Sequence, residues 1–472
     1  MTRGATSALR QIGCAVLLMA LTATQSTAQS EPSRLSLADA PQAVENLIGS
    51  GQLTAAREIA LAALRAAPDN PRFMLSLART ETRLGNYASA IALGRKAYRT
   101  TNDPQIKFYA AQTVAQAHTS AGNLTRAQLW LRRARQFAPN AEIAERVAQD
   151  FGKLRAQNPW STSLSFGITP TSNINNGSAN SEFVLPGLPY ILTISGDGRP
   201  LSGIQISGGA DFRYRVLTSE NSATFLTASA NALTYTLSQS ARAQAPSAKG
   251  SDYSYGVLSF GVSHRHILAK GANPTEFALR NSRTWYGMDP YSRTIDGSVT
   301  HIWKLGETDS LAVRALAQKT VYFGVEPVRP EDEPTKTYPS VGLGISAHWT
   351  HAMAGGDSYT LGLTLRDNQS KARDSDYKSV AYSANYDFAK PVAGMRFGFG
   401  ADIESRNFAS SIYAAGPRED VSVGLEMSVN FSNVEFYGFQ PIVKFEARRN
   451  ESSVALFDRN YGNIAFDLRS SF

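Results

Sequence analysis

From Trp160 to the end of the chain, apolar and polar side chains alternate with a period of two. That period puts successive side chains on opposite faces of an extended strand. Tyr359, Leu361, Leu363 and Leu365 alternate with Thr360, Gly362, Thr364 and Arg366. Val380, Tyr382, Ala384, Tyr386 and Phe388 oppose Ser379, Ala381, Ser383, Asn385 and Asp387. Phe397, Phe399, Ala401 and Ile403 oppose Arg396, Gly398, Gly400, Asp402, Glu404 and Arg406. Two architectures satisfy this pattern. A soluble sandwich turns its apolar face inward, whereas a membrane barrel turns it toward lipid and keeps the polar face in a wet lumen.

The connections separate the two. About fourteen such segments follow one another, and membrane barrels of one chain have even strand numbers. Short connections fall near Ser219–Asn221, Lys270–Pro274, Gly306–Asp309, Ala354–Asp357, Lys390–Ala393 and Ser432–Asn433. Between them lie longer ones, near Pro170–Pro200, Gln239–Ser251, Gly324–Thr337, Asp367–Asp374 and Phe408–Glu419. Barrels of the outer membrane have short periplasmic turns and long outer loops. If Trp160 starts on the periplasmic side, every long loop is outside. The last run, Ile464 to Phe472, puts Ile464, Phe466, Leu468 and Phe472 on one parity. An aromatic at the end of such a strand resembles bacterial outer-membrane barrels, where the insertion machinery reads it. Ser470 departs from that pattern, since a large apolar residue is usual there.

The chain has 472 residues and a mean hydropathy of −0.25, so it is no polytopic helical membrane protein. The apolar run Ile12 to Ala23 follows Arg3 and Arg10 and is too short to span a bilayer. Ser26-Thr27-Ala28 supplies a small-residue cleavage site, so residues 1–28 read as a secretory signal peptide. Cys14 lies inside that run without a lipobox, which leaves a mature chain with no cysteine. A net charge of +8 favours anionic lipid or acidic protein partners; export argues against nucleic acid.

Residues 29–158 carry a different signal. Gly51-Gln-Leu-Thr-Ala-Ala56, Gly85-Asn-Tyr-Ala-Ser-Ala90 and Gly122-Asn-Leu-Thr-Arg-Ala127 repeat at spacings of 34 and 37 residues. Each block continues to a further alanine: Ala63, Ala97 and Ala134. This is similar to the tetratricopeptide repeat, a helix-turn-helix whose alanines allow close packing. Residues from about Ala141 to Gln157 read as a capping helix. Arg72, Arg79 and Arg83 share one face of a predicted helix with Leu75, either as a basic groove or as an ordinary solvated face. The fold class expected is α + β in two domains: a tetratricopeptide-repeat array, then an antiparallel transmembrane β-barrel over residues 159–472.

This combination resembles the surface lipoprotein assembly modulator (Slam) family over nearly the whole mature chain. Ile168-Thr-Pro-Thr-Ser-Asn173-Ile-Asn175-Asn176 supports it, because family members have a proline followed by an Asn-x-Asn-Asn run. Ser172 stands at an aspartate-like position, and the same Asn-rich composition also suits a plain turn. The resemblance implies translocation of lipoproteins or small haem- and metal-capturing proteins across the outer membrane. It implies recruitment by the repeats and passage by way of the barrel. Expected partners are the exported substrate, outer-membrane lipid and, during insertion, the barrel-assembly machinery. The alternative is a passive porin-like channel or a polysaccharide exporter.

Charges on the expected lumen parity are mixed in sign: Asp211, Arg213 and Arg215; Arg396, Asp402, Glu404 and Arg406; Lys444, Glu446 and Arg448. They either line a hydrated path or satisfy one another across strands. No enzyme, cofactor or metal is expected. Gly342-Leu-Gly344 lies in a strand, the wrong context for a dinucleotide site. His264 with His266, and His348 with His351, lack a third ligand. Trp160, Trp285, Trp303 and Trp349 suit interfacial belts.

Overall fold

The computed structural model describes residues 35–184, 189–269, 271–323, 338–431, 434, 436–437 and 439–470. The expected signal peptide (residues 1–28), the expected long connection 324–337 and short turn 432–433, and Phe472 therefore lie outside the described residues.

Among the described residues seven helices come first: α1 (Ala40–Gly49), α2 (Leu53–Ala66), α3 (Pro71–Arg83), α4 (Tyr87–Thr100), α5 (Pro104–Ser120), α6 (Leu124–Gln136) and α7 (Ala141–Gln157). Their starts follow local chemistry. Asn70 accepts from the Arg72 N–H at 3.0 Å, and Asp103 accepts from Gln105 N–H at 2.8 Å, each just before a proline at the first helical turn. The repeat glycines Gly51, Gly85 and Gly122 have φ of 78, 85 and 76°. That left-handed backbone is open to glycine at no steric cost. It lets the next residue's N–H return to the preceding helix, three times over: Gln52 to Leu47, Asn86 to Glu81 and Asn123 to His118.

The repeat alanines Ala56, Ala90 and Ala127 are wholly buried, as are Ala97 and Ala134. Larger side chains fill the space between pairs, with Phe108, Val114, Trp130, Leu131 and Phe151 forming the main cluster. Each such side chain contributes roughly 1.5–3 kcal/mol on burial. α7 packs on this cluster through Val147 and Phe151, which makes it the expected cap.

Asn158 ends the array. It is buried, donates to Thr125 Oγ1 at 3.0 Å and accepts from the Trp160 N–H at 3.1 Å. The link into the barrel is thus held.

The barrel is closed and antiparallel. Its strands are β1 (Trp160–Thr171), β4 (Gly203–Thr218), β5 (Ser222–Leu237), β6 (Tyr255–His266), β7 (Thr275–Tyr286), β8 (Asp289–Lys304) and β9 (Asp309–Tyr322). Then come β10 (Ser340–Ala352), β11 (Ser358–Ser370), β12 (Tyr377–Asp387), β13 (Met395–Phe408), β14 (Arg418–Phe431), β15 (Phe439–Ser452) and β16 (Arg459–Ser470). The short β2 (Glu182–Val184) and β3 (Ile191–Thr193) form a separate hairpin in the first long connection. Fourteen strands close by pairing β1 with β16, Ile168 opposite Phe466.

The strands run 11 to 16 residues, and all but the 11-residue β12 exceed the ~9–11 that cross a bilayer.

The alternation resolves outward. Phe166 is 56% exposed, Leu425 61% and Phe466 51%, while Ser163, Asp402 and Asp467 take the other parity. A sandwich would bury that apolar set. Among the described residues no helix is long and apolar enough to cross a membrane. A closed barrel of this kind is compatible with an outer-membrane protein.

One connection breaks the expected short–long rhythm. β7 and β8 are joined by Gly287 and Met288 alone, at the end where the long loops gather. Two residues with φ of 59 and 73° make a tight hairpin there.

Candidate functional site

The helical array packs against the barrel end that carries the short turns. Tyr437, between β14 and β15, donates its N–H to Gln136 Oε1 of α6 at 2.8 Å, and its hydroxyl is 3.4 Å from that of Tyr98. The Arg132 guanidinium lies 5.3 Å from the Phe439 ring. Arg215 of β4 donates to the carbonyls of Ala156 and Gln157 at 3.0 and 2.9 Å. These are the last carbonyls of α7, where a helix leaves acceptors unpaired and its dipole favours a cation. Arg215 was expected to line the lumen. Its position at the strand end instead makes it the anchor of the array.

A cavity of about 950 Å³ lies at this junction. α6 and α7 supply Gln128, Leu129 and Arg155 to its wall, and the barrel supplies Ser163, Lys444 and Asp467. Its barrel side includes lumen-facing residues, so it leads into the mouth.

A second cleft, of about 450 Å³, opens between α4, α5 and α6. Arg95, Arg126 and Arg133 line it with His118 and Trp130. None of the three arginines has an ion pair among the described residues. Arg133 lies over Trp130 at 4.3 Å. His118 is 5% exposed, and its Nδ1 has no partner. Burial, then the nearby Arg126 and Arg95, hold its pKa below the ordinary histidine value. Three unpaired guanidinium groups and an unused imidazole nitrogen suit a carboxylate-bearing ligand. Leu129, 54% exposed, lines both this cleft and the junction cavity.

The arginines predicted on α3 sit elsewhere. Arg79 pairs with Glu45 at 2.5 Å, while Arg72 and Arg83 are exposed. Leu75 does not line a groove. It is 8% exposed and packs with Met74, Ala97 and Ala110, because the helix turns that face into its neighbours. The basic cleft escaped the sequence reading because its residues come from three helices. Arg126 and Arg133, seven apart on α6, were the available signal.

The Asn-rich segment is built into the far-end loops. Asn173 is buried; it donates to Gly177 O at 3.0 Å and accepts from Gly177 N–H at 2.8 Å. Asn175 donates to Asp197 O and Arg199 O and accepts from Leu201 N–H. Asn176 has φ of 51° and stays exposed. Nearby, Ile174 and Leu201 pack against Ala241 and Ala245 of the short helix α8 (Gln239–Gln244) and the residue after it, forming a small loop core. Asn173 and Asn175 thus serve loop architecture through hydrogen bonds of their own.

Inside the barrel, several charges pair. Arg448 grips Asp402 at 2.7 and 2.8 Å, and Arg406 meets Glu404 at 3.0 Å. Arg213 lies 3.7 Å from the Phe225 ring and 3.6 Å from Glu276. Lys444 is 3.8 Å from Asp467, and Glu446 accepts from Asn463 at 3.4 Å. Asp211 and Arg396 are exposed and have no ion pair among the described residues. Arg418 was not foreseen. It is buried, paired with Asp374 and Asp420, and sandwiched between Phe408 and Phe457 at 3.6 and 3.7 Å. Arg418 and Asp420 share the lumen parity of β14, a signal present in the sequence.

A tetratricopeptide-repeat family model matches residues 42–105, from within α1 to the start of α5. The N-terminal helices are a tetratricopeptide-repeat array. The array followed by the barrel fits an outer-membrane protein with a repeat domain. The Yersinia enterocolitica type III secretion translocator chaperone SycD is similar at 20% identity and a TM-score of 0.23, covering 26% of this chain and 88% of that one. PcrH in complex with the chaperone binding region of PopD shares 21% identity at a TM-score of 0.23, covering 26% and 96%. The globular C-terminal domain of P. aeruginosa LpoP shares 25% identity at a TM-score of 0.21, covering 22% and 99%. No curated protein matches the chain.

Proposed function

We propose that this chain is an outer-membrane translocator of the Slam type. Its tetratricopeptide array stands in the periplasm, recruits an exported protein or lipoprotein, and passes it to the barrel. The observation that carries this reading is that Leu129 lines both the basic cleft and the junction cavity. A segment held by Arg95, Arg126 and Arg133 would lie beside the barrel mouth. The substrate class is an exported protein with an acidic segment carrying apolar residues, since Trp130, Ile91 and Leu129 line the same cleft.

The role is transport without chemistry, and no cofactor is invoked. The periplasm holds no ATP, so folding of the substrate on the far side supplies the drive. A substrate that cannot fold should then cross poorly.

The test is export itself. Deleting the gene should remove a co-encoded exported protein from the cell surface or medium. Arg126→Glu with Arg133→Glu should do the same while the barrel still assembles. Unchanged export in both strains would refute the reading, and unchanged export in the second alone would refute the cleft.

A further inference from the structure

The lipid-facing wall carries a second basic feature, far from the array. Arg283 of β7, Arg293 of β8 and Lys319 of β9 all take the outward parity. Their register neighbours on that face are Leu258, Val321, Ile295 and Val341, all exposed apolar side chains. Arg283 stands directly opposite Arg293, and Lys319 is diagonal to it, opposite Ile295. Like charges opposed across a ladder repel, and charges facing hydrocarbon are costly. Three of them together on adjacent strands call for an anion.

The described residues supply none. Among the described residues these three side chains have no carboxylate partner. With the Asn281 amide turned so that its oxygen faces the guanidinium, it accepts from Arg293 Nη2 and Nε at 3.0 and 3.3 Å. Arg283 lies 5.4 Å from the Trp285 ring and 5.5 Å from the Phe323 ring. Elsewhere on the outer half of the wall, the outward cations Lys378 and Arg449 have acidic neighbours. Asp367 stands opposite Lys378, and Arg449 bonds Glu451 at 2.5 Å. The imbalance is local to β7–β9.

Depth identifies the occupant. Each of the three lies three or four residues from its strand's end at the barrel rim opposite the array. That is roughly 10 Å along the strand. With Trp285 and Phe323 beside them, they stand at the headgroup level of the outer leaflet. We propose that this patch binds the phosphate groups of a phosphorylated glycolipid in that leaflet, with the two guanidinium groups as bidentate donors and Lys319 as a point charge. The proposal rests on the outer-membrane placement of the barrel but not on its transport role. The tight Gly287–Met288 hairpin leaves the patch uncovered from above by a long β7–β8 loop.

The experiment uses the purified full chain in discs of zwitterionic phospholipid. Bis-phosphorylated lipid A and its dephosphorylated form are added in graded amounts, and retention is read by native mass spectrometry. The phosphorylated lipid should bind about tenfold more tightly than the dephosphorylated one. Arg283→Gln/Arg293→Gln/Lys319→Gln should erase that difference. Arg283→Lys/Arg293→Lys, which keeps the charge but loses the bidentate fork, should keep only part of it, and Arg449→Gln should leave it intact. If the triple variant fails to give a heat-modifiable barrel, Lys319→Gln alone should still show a partial loss. Equal binding of the two lipids, or a triple variant that binds as the parent does, overturns the proposal. Displacement by inorganic phosphate at equal phosphate concentration would reveal a soluble-anion site and overturns it too.

Discussion

Arg448 holds Asp402 in a two-pronged ion pair although a whole strand, β14, runs between theirs. The register puts Gly424 directly between them, opposite Asp402 on one side and Arg448 on the other. A Cβ at Gly424 would fall 2.5 Å from Asp402 Oδ1 and 2.6 Å from Arg448 Nη2. The missing side chain is what lets two charges meet across two ladder spacings.

Gly424→Val should therefore break the pair. Both side chains are about a third exposed to the wet lumen, so the ionic part is worth only about 1 kcal/mol, with steric strain added. The barrel should unfold at lower temperature in heat-modifiable gel migration. A double-mutant cycle of Asp402→Asn and Arg448→Gln should give a coupling of about 0.5–1 kcal/mol. Zero coupling would mean that the pair is incidental.

His118 makes the array sensitive to acid. Its folded pKa is depressed by burial and by Arg126 and Arg95. The unfolded chain therefore takes up the proton first, and stability falls as pH drops below the ordinary histidine value of about 6.5. No loss arises above that value. The melting temperature of the full chain, followed by the helical signal, should drop less between pH 7 and 5.5 in His118→Gln than in the parent. Parallel curves would remove His118 from the account.

Gly122 turns α5 into α6 with φ of 76°, where an L side chain is strained. Gly122→Ala should lower array stability by about 1–2 kcal/mol. No heavy atom lies within 4 Å of an added Cβ, so the cost is conformational and not steric. Gly122→Asn should recover part of it, because asparagine tolerates that region better. Denaturant midpoints of the three proteins settle the order.

Arg215 is predicted to tie the array to the barrel. Arg215→Ala leaves the Ala156 and Gln157 carbonyls without their donor. Hydrogen exchange in the last turn of α7 should speed up, while exchange in the central barrel strands stays as it was. Arg215→Lys should restore part of the protection. Equal exchange in parent and Arg215→Ala would show that Asn158 and Tyr437 suffice.

The sequence by itself determined the elements and their order. Gly51, Gly85 and Gly122 mark the repeat turns because only a small set of residues tolerates left-handed backbone. The parity from Trp160 onward marks strand faces because a pleat repeats every two residues. Neither rule reaches past its own element. Leu75 shared a helical stripe with three arginines, yet packing turned it into the core. Arg215 shared a strand parity with Asp211, yet its place at the strand end gave it to α7. The partner of Asp402 lies 46 residues away on a strand it does not touch in the ladder. The cleft of Arg95, His118, Arg126 and Arg133 exists only where three helices meet. Local periodicity is a property of the backbone; which charges face one another depends on register, closure and the angle at which helices pack, and those are set by the folded whole.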